Sequence, residues 1–270
     1  LFGMEAIGDA AFILDYIKIF FMLDMVSLGA IVGELNKHGD EVRRLYALIG
    51  EVDACLSIAQ LRHEGAAMCT PAFHDERRLE ALGVRHPLIA ECVPNDLDWQ
   101  RNMLISGSNA SGKSTFIKAV AVNCVLAQSL HLCWAQRFHM RRGRVMSSMA
   151  VRDNIMGGES YFIVELKSLR RILRAADEEQ MIYCFVDEIL RGTNTIERIA
   201  ASASVLRFLV RDTFLCMTAT HDIELTRMLA STFENKHFSE TVNDSGVIFD
   251  FLLKDGPTRT RNALRLLRQM

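Results

Sequence analysis

The sequence predicts an α/β fold, a mostly parallel sheet flanked by helices and entered through a helical segment. Three apolar runs carry the prediction: residues 103–105, 182–186 and 215–219. Each is too short for a buried helix, and each stops where glycine-rich or polar residues begin. Helical stretches lie between them, and that alternation is the pattern of parallel strands delivering functional residues at their C-terminal ends.

The first third reads as helix. Residues 10–32 are rich in Phe, Ile, Leu and Met, but Asp15, Lys18 and Asp24 interrupt them too closely for a membrane span, so a packed helix is expected and a membrane partner is not. Leu45, Leu48, Ile49, Val52, Leu56 and Ala59 recur at spacings of three and four along a second helix, with Gly39-Asp40 as its break and N-cap. From 68 to 100, Pro71, Pro87 and Pro94 punctuate short apolar runs, the texture of strands and turns. The expected division is therefore a helical segment over 1–70 and an α/β domain over 71–270, with the boundary near Thr70 to Arg78. Towards the end, 247–253 alternates like an edge strand, and a helix is expected from Asn262 onward.

Composition permits a large core, since half of the 270 residues are hydrophobic, including 15 Phe and 13 Met. The formal net charge of -2 lacks the basic surplus that contact with DNA phosphates requires, so any grip on double-stranded DNA is expected in other parts of a longer parent. Seven cysteines without a Cys-x-x-Cys pair suggest neither a disulfide framework nor a zinc site, and they read as small buried residues in a reducing cytoplasm. The N-terminus carries no signal-peptide pattern, and a first residue of Leu1 fits a fragment.

The chemistry concentrates at the ends of the apolar runs. Gly107, Ser108, Asn109, Ala110, Ser111, Gly112, Lys113 and Ser114 match the P-loop pattern in full, between a strand and a helix beginning near Thr115. Glycines at 107 and 112 permit torsions that turn successive main-chain amides towards phosphate oxygens at a helix N-terminus. Lys113 would neutralise the β- and γ-phosphates of ATP, and Ser114 would bind Mg²⁺. Asp187 and Glu188 end the second run; Asp187 would hold the metal, and Glu188 would orient or deprotonate the attacking water. His221, in Thr-Ala-Thr-His-Asp after the third run, would sense the γ-phosphate. Gly157-Gly-Glu-Ser160 is either a plain loop entering a helix over 165–173 or a signature loop whose Ser160 reaches, in trans, the γ-phosphate of a second subunit across a two-fold axis.

These residues together resemble the ATPase domain of the MutS mismatch-repair proteins, within the ABC ATPase superfamily. The likeness rests on Arg85-His-Pro, the loop at 107–115, Gly-Glu-Ser-Tyr-Phe at 158–162, Val-Asp-Glu-Ile at 186–189, Arg-Gly-Thr-Asn-Thr at 191–195 and Ala-Thr-His-Asp-Ile-Glu-Leu-Thr at 219–226, in the family's order. It implies a Mg-dependent ATPase acting as a homodimer with composite sites, coupled to binding of mismatched or otherwise aberrant DNA, cytoplasmic and nucleoid-associated. By the same resemblance Asn109 contacts the partner side, Ser160 acts in trans, 191–195 runs along the dimer interface, and the helices before 70 end the lever region. Ser108, Ala110-Ser111 and Asn194 depart from the usual family residues, which suggests a divergent paralogue acting in mismatch repair or in recombination. A transport-type ABC subunit is the rival reading, but its Leu-Ser-Gly-Gly-Gln signature is missing here.

Overall fold

The computed structural model describes residues 16, 19–64, 68–149, 161–190, 193–243 and 246–258. The chain divides into two compact units, Leu1–Glu64 and Gly65–Met270.

The first unit contains α1 (Leu23–Glu64), which leaves helical geometry at His38 (φ −114°, ψ 18°). The break thus falls just before the expected Gly39-Asp40, and the Asp40 carboxylate does not cap a second helix. It accepts instead from Arg43 Nη1, at 3.2 Å. Over the described residues 19–32, Phe20, Met25, Leu28 and Ile31 are exposed, where the sequence predicts a packed helix over 10–32. Residues 1–15 lie outside the described residues. Among the described residues no helix is long and apolar enough to cross a membrane.

The second unit runs β1 (Ala72–Phe73), β2 (Leu79–Val84), β3 (Asn95–Trp99), β4 (Met103–Ser106), α2 (Lys113–Ser129), β5 (Arg137–Met140), β6 (Arg144–Ser148), α3 (Tyr161–Ala175), β7 (Ile182–Asp187), α4 (Thr195–Phe208), β8 (Phe214–Thr220), α5 (Ile223–Met228), β9 (Glu234–His237), β10 (Glu240–Asn243), β11 (Gly246–Phe249) and β12 (Lys254–Asp255). A six-stranded sheet has the order β12-β9-β4-β8-β7-β6, and a smaller one the order β1-β5-β2-β3. In the larger sheet every neighbouring pair is parallel except β12 on β9. The fold is mixed α/β, with sheets flanked by helices.

One expected element is corrected. The edge strand expected over 247–253 is present only in its first part: β11 pairs with β10 in a two-stranded antiparallel hairpin, and 250–253 leave strand geometry, with Phe251 at φ +54°. The edges of the large sheet are β12 and β6. The helix expected from Asn262 lies outside the described residues.

Strand alternation divides the core. Met103, Ile105, Tyr183, Phe185, Leu215 and Met217 pack on one face with Ile117 and Val120 of α2 and with Trp99 and Phe138 of the smaller sheet. Their neighbours Leu104, Ile182, Cys184, Val186 and Cys216 pack on the other, against Leu169 and Ile172 of α3 and Ala203 and Leu206 of α4. Both faces are covered, which is why these strands read as unbroken apolar runs. The cysteines are all free; Cys124, Cys133, Cys184 and Cys216 are buried as expected, whereas Cys55 is exposed and Cys69 and Cys92 are half-buried.

Candidate functional site

The sheet register brings the motif residues to one edge. Ser106 lies beside Thr220 on β8 and His237 on β9, and Asp187 lies beside Ala219. The loop after β4, the acidic end of β7 and the turn after β8 therefore emerge together, as strand ends do in open parallel sheets.

The 107–114 loop has the torsions its glycines allow. Gly107 stands at φ +150°, where a Cβ would meet the Phe238 carbonyl oxygen at 2.8 Å, and Gly112 stands at φ +105°, where one would meet Phe251 Cδ1 at 3.1 Å. Ala110 also takes a left-handed conformation, φ +64°. Gly112 is the N-cap residue of α2, so the loop leads directly into the N-terminal end of the helix. Lys113 is buried, and its Nζ donates to the main-chain oxygens of Gly107 (2.9 Å) and Ser108 (2.6 Å). The Ser111 hydroxyl is buried with no hydrogen-bond partner among the described residues. Ser108 Oγ donates to Glu240 Oε2 at 2.7 Å, while Asn109 and Ala110 are exposed and Thr115 is half-buried.

Opposite the loop, the Ser114 hydroxyl donates to Asp187 Oδ1 at 3.0 Å. Glu188 follows at φ +59°, its amide donating to the Ala219 carbonyl at 3.2 Å. Its Oε1 stands 2.8 Å from His221 Nε2, with the Glu188 side chain 17% exposed and that of His221 35% exposed. Leu190, at φ +58°, donates its amide to Glu165 Oε1 of α3 at 2.5 Å, which pins the chain beyond the acidic pair. A cleft of about 330 Å³ joins these groups. Lys113, Ser114, Glu188 and His221 line its polar end, and Val84, Ile89, Cys92, Val93 and Phe251 form an apolar wall.

The structure thus gathers Lys113, Ser114, Asp187, Glu188 and His221. Ser160 lies outside the described residues, as do Arg191 and Gly192. Asn194 is described; its side chain accepts from Glu197 N and caps α4.

Sequence reasoning missed two parts of the site. The apolar wall comes from two separated parts of the chain, the 84–93 segment and Phe251, and no local pattern marks it. The second part is a bidentate pair in which Arg198 Nε (3.0 Å) and Nη2 (2.6 Å) donate to Asp222, the residue after His221. The bond to Asp222, against the effect of burial, raises the Arg198 pKa above its ordinary value. The available signal was an arginine one helical turn beyond Asn194.

Among the described residues no group of three or more His, Cys, Asp or Glu side chains could hold a metal. A hydroxyl and a carboxylate in contact do suit a hard divalent cation that takes its remaining ligands from water and phosphate.

Residues 103–268 match the family model described as MutS domain V. The chain is 33% identical to the DNA mismatch repair protein MutS of Lysinibacillus sphaericus over 230 residues, 80% of this chain and 26% of that protein. It is 28% identical to the MutS of Thermus aquaticus over 227 residues (82% and 27%) and 29% identical to the DNA mismatch repair protein MSH3 of Phaeosphaeria nodorum over 243 residues (84% and 21%). The chain therefore spans about a fifth to a quarter of the length of these relatives. With a family model covering most of the α/β unit, and with its strand ends converging on one cleft, the chain belongs to the MutS family.

Proposed function

We propose that this chain binds Mg-ATP in the cleft and hydrolyses it in composite sites formed by two copies, coupling nucleotide state to DNA binding in DNA repair. The observation that carries the reading is the convergence of Lys113, Ser114, Asp187, Glu188 and His221 at one edge of a parallel sheet, beside a loop that leads into the N-terminal end of α2.

Each residue has work suited to its place. The loop amides and the Lys113 ammonium neutralise the phosphates; the ammonium, which donates to the Gly107 and Ser108 carbonyls, can exchange these neutral acceptors for charged oxygens. The buried Ser111 hydroxyl has a donor to offer the same group. Mg²⁺ held by Ser114 and Asp187 would supply charge neutralisation at the transferring phosphate. Glu188, fixed by its amide and by His221, accepts the proton of the attacking water. His221 bridges Glu188 and the γ-phosphate position and so reports whether that phosphate is there. The apolar wall suits the face of a base.

The family resemblance completes the reading. Ser160 and Asn109 of each copy face the other's nucleotide, 191–195 lines the interface, and 1–70 is the end of a lever towards DNA-binding parts of the parent. The names of the relatives point to mismatch repair as the setting; a cytoplasmic, nucleoid-associated location is part of the reading through the resemblance alone.

The deciding experiment compares wild-type and Lys113→Ala chains for binding of a fluorescent ATP analogue and for ATP hydrolysis. Binding and turnover should fall by roughly a hundredfold or more, the scale of losing a charged partner in a preorganised site. Unchanged binding and hydrolysis would reject the reading.

A further inference from the structure

Asp222 occupies the N-cap position of α5, where an aspartate ordinarily accepts from the helix's first free amides. It makes no such bond. Both carboxylate oxygens turn instead to Arg198, in a fork-to-fork pair whose side chains are only 24% and 14% exposed. The carboxylate thus has two alternative sets of partners, the α5 amides and the Arg198 guanidinium.

The pair sits against the chemistry. Asp222 follows His221, whose Nε2 meets Glu188 at 2.8 Å, and the Asp222 amide donates to Thr220 Oγ1 at 3.0 Å, so the turn at 220–222 is held from both sides. A cavity of about 190 Å³ is lined by Arg198, Asp222, His221 and Glu188 together. The charge of Glu188 also contributes to stabilising the Arg198 cation, after the bond to Asp222. At its other end Arg198 belongs to the hydrogen-bonded first turn of α4. Its amide donates to the Asn194 carbonyl at 2.9 Å, Asn194 Oδ1 caps Glu197 N at 3.0 Å, and Thr193 Oγ1 donates to Glu197 Oε2 at 3.0 Å.

We propose that Arg198 is a positioning residue for hydrolysis: through Asp222 it holds His221 against Glu188, and it ties that pair to the start of α4. The inference rests on the ATPase reading. Without the guanidinium, Asp222 returns to the α5 amides, the 220–222 turn rotates, and His221 parts from Glu188. Because 193–197 and Arg198 move as one turn, displacement of that segment by a second copy of the chain reaches the Glu188–His221 pair through this single side chain.

The test uses the full chain with Arg198→Met, Arg198→Lys, Asp222→Asn and the double variant Arg198→Met/Asp222→Asn. Affinity for a fluorescent ATP analogue and single-turnover hydrolysis at saturating ATP are measured side by side. Each of Arg198→Met and Asp222→Asn should slow the single-turnover step by roughly tenfold or more with affinity changed less than about threefold, the double variant should be no slower than the worse single one, and Arg198→Lys should recover part of the rate. If Arg198→Met does not fold, Arg198→Lys and Asp222→Asn carry the same comparison. Unchanged rates, losses that multiply in the double variant, or affinity falling in parallel with rate would each overturn the proposal. A wild-type chain that binds the analogue but never hydrolyses ATP would overturn the hydrolytic reading itself, whereas unchanged turnover in the variants overturns this inference alone.

Discussion

Ser114 and Asp187 lie 73 positions apart in sequence, yet the serine hydroxyl donates to the aspartate Oδ1 at 3.0 Å. The sheet forces the meeting, because β4 and β7 both pair with β8 and end at the same level. The contact puts two oxygen donors of a hard cation beside the lysine of the loop. Ser114→Ala should weaken ATP binding in the presence of Mg²⁺ by roughly tenfold to a hundredfold, the usual scale for losing a group at a metal centre, and leave metal-free binding nearly unchanged. Titration of a fluorescent ATP analogue with Mg²⁺ or with a chelator reads both values. Equal loss in the two conditions would remove Ser114 from the metal.

Glu188 is placed for proton transfer, while Lys113 and the loop carry binding. Glu188→Gln keeps the size and a hydrogen bond to His221 but cannot accept a proton, so hydrolysis should fall by about 10²- to 10⁴-fold while ATP affinity holds. Rapid-quench measurement of phosphate release decides it, and a variant as fast as wild type would assign the base elsewhere.

Shared sites can be detected by mixing. A Ser160→Ala chain and a Glu188→Ala chain should each be nearly inactive, yet an equimolar mixture should regain activity, because one of the two sites in a mixed pair combines an intact Glu188 with an intact Ser160. A mixture that performs as the average of its parts would argue for sites complete within one chain.

At the opposite end of the sheet, Asn102 is 2% exposed, accepts from the Cys216 amide at 2.9 Å through Oδ1 and donates to the Leu209 carbonyl through Nδ2. Asn102→Ala leaves the buried Cys216 amide without its partner, while the Leu209 carbonyl keeps the Arg211 amide, and should cost about 1–3 kcal/mol of stability. Urea unfolding followed by circular dichroism measures it; a shift within error would show that the neighbourhood repacks freely.

His86, in the 84–93 segment that leads into the cleft wall, has its pKa lowered from 6.5, chiefly by burial and secondarily by the charge of Lys118. The unfolded chain binds that proton more readily, so this contribution to stability is complete above about pH 6.5 and is lost as pH falls through the lower folded-state value. The midpoint of thermal unfolding should therefore drop on acidification, and His86→Gln should flatten that part of the profile. A profile identical in the two proteins would separate His86 from acid sensitivity.

The strand ends were legible because each packs its chemistry into a few consecutive residues behind an apolar run: the 107–114 loop after β4, Asp187 and Glu188 ending β7, and His221 after β8. The burial of both sheet faces was legible for the same reason, since Tyr183 and Cys184 are apolar neighbours that face opposite layers. Contacts made across the fold were not. Arg198 meets Asp222 from 24 positions away, Ser108 meets Glu240 from 132, and Phe251 reaches Gly112 only because the chain turns out of strand geometry there. The alternation over 247–253 marks a strand, and β11 is one, but the period tells neither where it stops nor which sheet it joins. In α1 the glycine at 39 marked the break closely, but the helix departs at His38, and apolar spacing alone could not tell whether that face is covered.

The left-handed backbone at Glu188 carries a consequence for how such a protein can change. An L-residue with a side chain is costlier there than glycine by about 1–2 kcal/mol, so Glu188→Gly would relax the turn and harden the protein against heat while deleting its acid. At this one position, selection for endurance and selection for turnover pull in opposite directions. A lineage kept only for its fold would be expected to lose the carboxylate first.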